Sequence, residues 1–533
     1  MKNHFRASMA WLHTWTGLVC GWLLYLIFLT GSIGYFDTEI DRWMNPQIPI
    51  GETSTPPRAQ LQAAMGQLAE RAPEASRWFI VLPADRNDPV PRILWTALPD
   101  ADGKPRRGGS ALLDPVSGKV LDTHHSGGGQ FLYRLHYTLH YMPPPVAYWI
   151  VGFCALVMLT ALVTGIIVHK KIFTDFFTFR PGKGVRSWLD AHNVLSVTSL
   201  PFHLMITYSG LVFFAFTYMP LIAAAHYGLG NAGQEAFRSA VFEAGDTYER
   251  SGVAAPLAPL DAMLAQGEAR WGAGRVNGID IRQPGDAQAR VLLRPAQSSP
   301  LRSTEIMVFD GVSGQLMEIR PALTSTAKAA YDLLLGLHEG LYAGPAVRWL
   351  YFLSGLAGSA MIASGLVLWA RKRRQRQEKD RNGARHRGLG LVERLNAGTL
   401  VGLPIGIVAY FWANRLLPDG LAQRAGWEAD ILFGAWGIML LHAALRPRAR
   451  LWWEQSLGAA LLYLSLPVFD VLITTRQIGS YLTEGRAVFA WFDLTLFCMG
   501  AAWLRLALFV RPVPAASGRS APAAPQETRA PQH

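Results

Sequence analysis

Eight apolar segments punctuate the chain, at residues 11–36, 146–168, 190–219, 346–369, 396–416, 428–445, 455–474 and 487–509. Most reach the roughly 20 residues that a helix needs to cross a hydrocarbon layer, so the pattern predicts a membrane α-helical bundle of about eight spans. Two long polar segments, about 37–140 and 220–340, interrupt it. Within each, the periodicity changes. "PRAQLQAAMGQLAERA" (57–72) and "LAPLDAMLAQGEARW" (257–271) have helical apolar spacing. "SRWFIVLP", "PRILWTAL", "GIDIRQ", "ARVLLRP" and "EIMVFD" read as short strands. Each polar segment is therefore predicted to be a small α+β module outside the bilayer. The first apolar segment follows "MKNHFR" but is too long for a signal peptide and lacks a small-residue cleavage site at its end, so it reads as a retained anchor.

The unit of span, external module and span occurs twice. "LDPVSGKVL" (113–121) matches "FDGVSGQLM" (309–317), an Asp–x–x–Ser–Gly pattern suited to a tight turn between strands. His140 lies 22 residues after Gly118, and His338 lies 24 after Gly314. The spans that follow end in "LVTGIIVHKK" and "IASGLVLWARK". His13 lies 18 residues before Gly31, and His192 lies 18 before Gly210.

Composition agrees with a membrane protein: 50% of the 533 residues are hydrophobic and 17% charged. The formal net charge of +12 would hint at nucleic acid in a soluble protein. Here the cations fall in short runs beside apolar segments, as the positive-inside rule requires, and no nucleic-acid partner is expected. Loop 170–187 holds five Lys and Arg, 371–394 holds ten and 446–450 holds three. That asymmetry makes these segments and both chain ends cytoplasmic and the two polar modules external, in an inner membrane. The chain then divides into a first span (1–36), an external module (37–140), the second and third spans (141–219) with loop 170–187, a second external module (220–340), a fourth span (341–372), a basic linker (373–395), four further spans (396–511) and a tail (512–533). The tail is rich in Pro, Ala and Ser, a composition that predicts disorder. Cys20, Cys154 and Cys498 all sit in apolar runs without a CxxC, which argues against a disulfide or a zinc site.

Seven of the fourteen histidines, His13, His136, His140, His169, His192, His203 and His338, lie in or beside the first four spans. Ionisable groups in membranes are costly and mark function. On one continuous helix, eleven residues at ~100° each bring His203 to within ~20° of His192, about 16 Å along the axis. Two histidines on one face at two depths suit a bundle that stacks two haems, because neutral imidazole is a good axial ligand. A symmetric assignment pairs His13 with His192 inside and His140 with His338 outside, leaving His169 and His203. An alternative pairs His169 with His192 and gives His203 to a second haem. His136 is the weaker candidate; with His140 at i, i+4 it would instead suit external zinc or copper. "GLGNAG" (228–233) fits GxGxxG but follows a span rather than a strand and is discounted. In the last four spans the chief intramembrane charges, Asp430, Asp470 and Asp493, lie near span ends and read as interfacial.

"HTWTGLVCGWLLYLIFLTG" (13–31), "LHYMPPP" running to "TGIIVHKK", "LDAHNVLSVTSLPFHLMITYSG" (189–210), "LLGLHEG" (334–340) and "RWLYFLSGLAGSAMIASGLVLW" (348–369) resemble the PepSY-associated transmembrane family, over about residues 5–375. The resemblance implies that the external modules are PepSY-like and that the matching histidines hold haem b, two groups in all. It further implies an inner-membrane reductase of periplasmic ferric siderophores, fed from the cytoplasmic side by a flavin or nicotinamide reductase or by quinol. Two rival expectations are a PepSY receptor or regulator without enzymatic activity and a transporter component for an iron complex.

Overall fold

Helices that are apolar on every side are stable only against lipid or one another, and that requirement sets the architecture. The computed structural model describes residues 2–49, 55–100, 104, 106–123, 125–169, 174, 176, 178–218, 220–230, 232–233, 236, 248–379, 387–473 and 487–512. The tail from 513, residues 380–386 of the basic linker, parts of loop 170–187 and residue 231 of "GLGNAG" lie outside the described residues. Among the described residues seven helical stretches are long and apolar enough to cross a membrane, and an eighth if one bent pair counts as a span. The chain is a multi-pass membrane protein.

Helix α1 (Lys2–Ile33) passes through a 3-10 turn into α2 (Asp37–Met44), so the first stretch outruns its apolar segment. After α3 (Pro57–Arg71) and α4 (Gly128–Thr138), α5 (Pro144–Val168) returns across the bundle beside α1. The third span is broken: α6 (Val185–Thr198) and α7 (Leu200–Phe213) meet at Ser199 with a bend of 68°. Pro201, in the first turn of α7, has no N–H to carry a helix through. Then follow α8 (Leu260–Trp271), α9 (Thr326–Glu339) and the 35-residue α10 (Pro345–Lys379). The basic linker is helical where described, in the end of α10 and in α11 (Arg387–Leu400). Helices α12 (Gly402–Leu416), α13 (Arg424–Leu445), α14 (Arg448–Ile473) and α15 (Ala487–Phe509) complete the chain.

Five strands fall on the segments that the sequence pattern predicts, β1 (Ala75–Val81), β2 (Arg92–Ala97), β4 (Val276–Arg282), β5 (Arg290–Pro295) and β6 (Ile306–Asp310), and two more, β3 (Gly109–Leu112) and β7 (Leu316–Arg320), flank the Asp–x–x–Ser–Gly turns. The expectation of two separate modules gives way here. All seven strands form one antiparallel sheet in the order β3-β2-β1-β4-β5-β6-β7. Helices α3 and α8 cover one face, burying Leu61, Leu68, Ile80, Ile93, Met263, Ile279 and Phe309 in a shared core. At the central seam the buried Asp280 takes a bidentate bond from Arg77 (2.7 and 2.8 Å) and pairs with Arg282 (2.9 Å). Both Asp–x–x–Ser–Gly motifs are tight turns. Asp114 Oδ1 accepts from the Val116 and Ser117 amides, Asp310 Oδ1 accepts from those of Val312 and Ser313, and Gly118 and Gly314 have φ of 68° and 75°.

Sheet and bundle meet at Glu39, which pairs with Arg86 beyond β1 (3.0 Å) and with Arg348 of α10 (2.5 Å). The C-terminal unit, α11–α15, is fastened to the first span by Trp22 Nε1 to Asn396 (3.0 Å), Tyr25 OH to the Leu400 carbonyl (3.0 Å) and Trp43 Nε1 to Asp493 (3.2 Å). Asp470 pairs with Arg415 (2.5 Å), whose guanidinium lies 3.6 Å from the Trp43 ring centre. Asp470 and Asp493 are thus buried and bonded, fastening the helices that carry them.

Candidate functional site

The sequence repeat becomes a repeated constellation. His13 on α1 and His192 on α6 face each other with ring centres 6.3 Å apart and planes at 67°. His13 Nδ1 bonds the Ala161 carbonyl of α5 (2.8 Å), with the Thr164 hydroxyl at 3.4 Å. His192 Nδ1 bonds the Met361 carbonyl of α10 (2.9 Å), with the Ser364 hydroxyl at 3.2 Å. Behind each ring sits a glycine. A Cβ on Gly165 or Gly365 would come within 3.2 Å of the Cε1 of His13 or His192 respectively. These glycines stand in the aligned "VTGII" and "ASGLV" segments.

A second pair lies nearer the sheet. His136 on α4 and His338 on α9 line one cavity of about 440 Å³ with Gly31, Gly210, Tyr133, Phe213 and Arg302. A Cβ on Gly31 would lie 3.5 Å from His136 Cγ, and one on Gly210 3.2 Å from His338 Cε1. His136 Nδ1 bonds the Tyr133 carbonyl. His338 Nδ1 bonds Ser209 Oγ (2.9 Å), and Ser209 spends its own proton on the Met205 carbonyl (2.6 Å). A carbonyl only accepts, and Ser209 has no proton left, so Nδ1–H is the donor in all four histidines. Each neutral ring therefore keeps its Nε2 lone pair for another group. Burial lowers the pKa of His136 to about 4, and burial together with the facing His136 lowers that of His338 to about 3, so both are neutral near pH 7.

The other candidates stand apart. His140 is not among the residues that line the cavity with His338. Helix α4 ends at Thr138, Leu139 and His140 take left-handed φ of 53° and 62°, and the His140 ring stacks on Phe433 of α13 (5.8 Å, 9°). The same exit from the helix breaks the i, i+4 relation to His136 that a zinc or copper site would use. Among the described residues no group of three or more His, Cys, Asp or Glu could hold a metal ion. His169 caps α5 and lines a separate cavity with Arg180, Lys183, Arg186, Asp190 and Gln375. His203 shares no face with His192, because the 68° bend at Ser199 separates their helices. It is fully buried against Phe28, and its Nε2 donates to the Ser354 carbonyl (3.2 Å). Its Nδ1 has no partner among the described residues. This is the opposite polarity to the four paired rings. Its counterpart in the first copy is the buried Leu24.

Histidine spacing does not mark the residues behind the rings. Thr164-Gly165 and Ser364-Gly365 carried a usable signal, a hydroxyl followed by glycine in corresponding spans. Glu428 and Arg424, both buried in α13, gave none.

The family model described as the PepSY-associated TM region matches residues 10–372, a stretch that includes both histidine pairs and all seven strands and ends before α11. No curated protein matches the chain.

Proposed function

We propose, from the premise that the chain belongs to the PepSY-associated transmembrane family, that it is a transmembrane electron-transfer protein holding two haem b groups. His13 and His192 would hold one, and His136 and His338 the other. The observation that carries this reading is the shared polarity of the four rings: each commits Nδ1–H to an oxygen of the protein and keeps Nε2 as a ligand. That is how ligating histidines are oriented by an outer shell. The inner pair also fits, since the facing rings of His13 and His192, with centres 6.3 Å apart, would hold one haem iron between them. Glycines at 165, 365, 31 and 210 let each ring lie close against the neighbouring helix, which fixes its position.

Bound haem supplies a one-electron couple. The chain's own residues exclude water, fix ring orientation and set the local dielectric. Electrons would enter at the inner pair from a flavin or nicotinamide reductase or from quinol, in an inner membrane with both termini cytoplasmic. They would leave near the outer pair for a ferric siderophore in the periplasm, held by the sheet that Glu39 anchors there. Reduction would release the iron, because Fe(II) binds hard oxygen ligands more weakly than Fe(III). In the last four spans Arg415 is paired with Asp470 and Arg424 with Glu428, and Asp430 and Asp493 accept from Tyr141 and Trp43, which favours fastening over a translocation path.

The test is a reduced-minus-oxidised spectrum with haem quantitation on purified full-length protein. His13→Ala or His192→Ala should remove one haem, His136→Ala or His338→Ala the other, and His140→Ala or His203→Ala neither. Wild-type protein without Soret absorbance after haem-replete expression would rule the reading out.

A further inference from the structure

Helix α4, which carries His136, is gripped at both ends by the C-terminal unit that follows the family-matched region. At its start, Glu428 Oε2 accepts from Ser126 Oγ (2.7 Å) and the Gly127 amide (2.9 Å). Glu428 Oε1 accepts from Asn414 (2.9 Å) and Arg424 (2.8 Å). Asn414 also reaches Ser126 Oγ (3.2 Å) and the Met44 carbonyl (3.1 Å), and Tyr410 OH donates to the Gly128 carbonyl (2.9 Å). Glu428 is fully buried and Arg424 nearly so. The first turn has no slack. A Cβ on Gly128 would lie 1.8 Å from Asp41 Oδ1, and one on Gly129 would lie 2.1 Å from the Asp37 carbonyl, so α2 walls the other side. At the far end, His140 lies flat on Phe433, and Tyr141 OH bonds Asp430, both on the α13 that carries Glu428. His338 is held differently. Its helix α9 begins at a Ser325 cap bonded to the Lys328 amide (3.1 Å), and the ring leans on Ser209 of α7.

We infer that the C-terminal unit positions one histidine of the outer pair, His136, with Glu428 as the positioning residue that fixes the start of its helix. This rests on the proposed haem at the outer pair. It gives the unit of α11–α15 a role at the outer centre. It also predicts that the two centres respond differently to changes in α13. A buried carboxylate that accepts four hydrogen bonds cannot be removed alone without leaving Arg424 uncompensated. The test variants are therefore Glu428→Gln combined with Arg424→Gln, which removes both charges together, and Phe433→Ala at the opposite end of α4.

The measurements, on full-length protein in detergent, are a potentiometric titration of the haem bands and amide hydrogen exchange of residues 128–138. Both variants should shift the midpoint potential of the centre that His136→Ala removes, leave unchanged the one that His192→Ala removes, and speed exchange in 128–138. An unchanged outer potential, or equal shifts of both centres, would overturn the inference while leaving the haem reading intact. If wild-type protein holds no haem, exchange alone decides: faster exchange in 128–138 supports the positioning role, and unchanged exchange refutes it.

Discussion

At the scale of single residues, glycines matter as much as histidines. Replacing Gly165 or Gly365 with Leu would drive a side chain into the space beside His13 or His192, where even a Cβ is tight. The expected result is loss of one haem of two with the chain still inserted. Gly17→Ala, which meets nothing within 4 Å, should keep both; haem-to-protein ratios distinguish the cases. The outer pair makes a pH prediction. Both histidines have folded pKa values below the usual 6.5, about 4 for His136 and about 3 for His338. Between 6.5 and those values the unfolded chain binds protons that the folded chain does not, so stability falls with pH across that window and levels off below it. Haem-free protein should therefore melt at progressively lower temperature from pH 7 towards pH 4, and a His136→Phe, His338→Phe double variant should show a shallower slope. Spacing alone does not say whether His136 or His140 comes to line the cavity with His338. His338 precedes Gly365 by 27 residues, and His136 and His140 precede Gly165 by 29 and 25, equally far from that value. The choice falls to two left-handed residues, Leu139 and His140. Neither is glycine, so local propensity gave no warning.

Among the elements, the local ones were legible and the long-range pairings were not. Helices α3 and α8 and strands β1, β2, β4, β5 and β6 follow from apolar periodicity and stand within a few residues of where it predicts them. The third span misled, because its apolar run continues through Ser199 while the backbone turns by 68°. Pro201 marks the place but not the angle. The seam between β1 and β4 joins residues about 200 positions apart, and no local signal encodes such a partner. Its energetics can be tested. Asp280→Ala leaves Arg77 and Arg282 facing each other without their carboxylate. Breaking a fully buried pair costs about 3–5 kcal/mol, but both arginines are about a third exposed, so a loss of roughly 1–3 kcal/mol is expected after allowing for screening. Arg58→Ala, at the exposed Arg58–Asp261 pair, should cost at most about 1 kcal/mol. Limited proteolysis of the intact protein across the sheet reads the difference.

For the whole molecule, the positive-inside rule predicts a topology that labelling can check. Single cysteines at Arg58 and Gln266 should react with an impermeant thiol reagent added outside spheroplasts, whereas cysteines at Lys183 and Arg448 should react only after lysis. Reaction of the first pair from the inside would invert the proposed direction of electron flow. The internal duplication was readable because glycine and histidine recur at fixed steps. Its outcome was not, since two sequence copies can fold as two bodies or as one. They fold as one: the ladder from Arg77↔Arg282 to Val81↔Gly278 runs without interruption between the halves. Carriers that expose a site alternately to each side work by rocking one repeat against the other. Here the continuous sheet is a lintel laid across both posts, and rocking them apart would break its middle rungs. That suits the proposed passage of electrons, which requires no rocking of one half against the other.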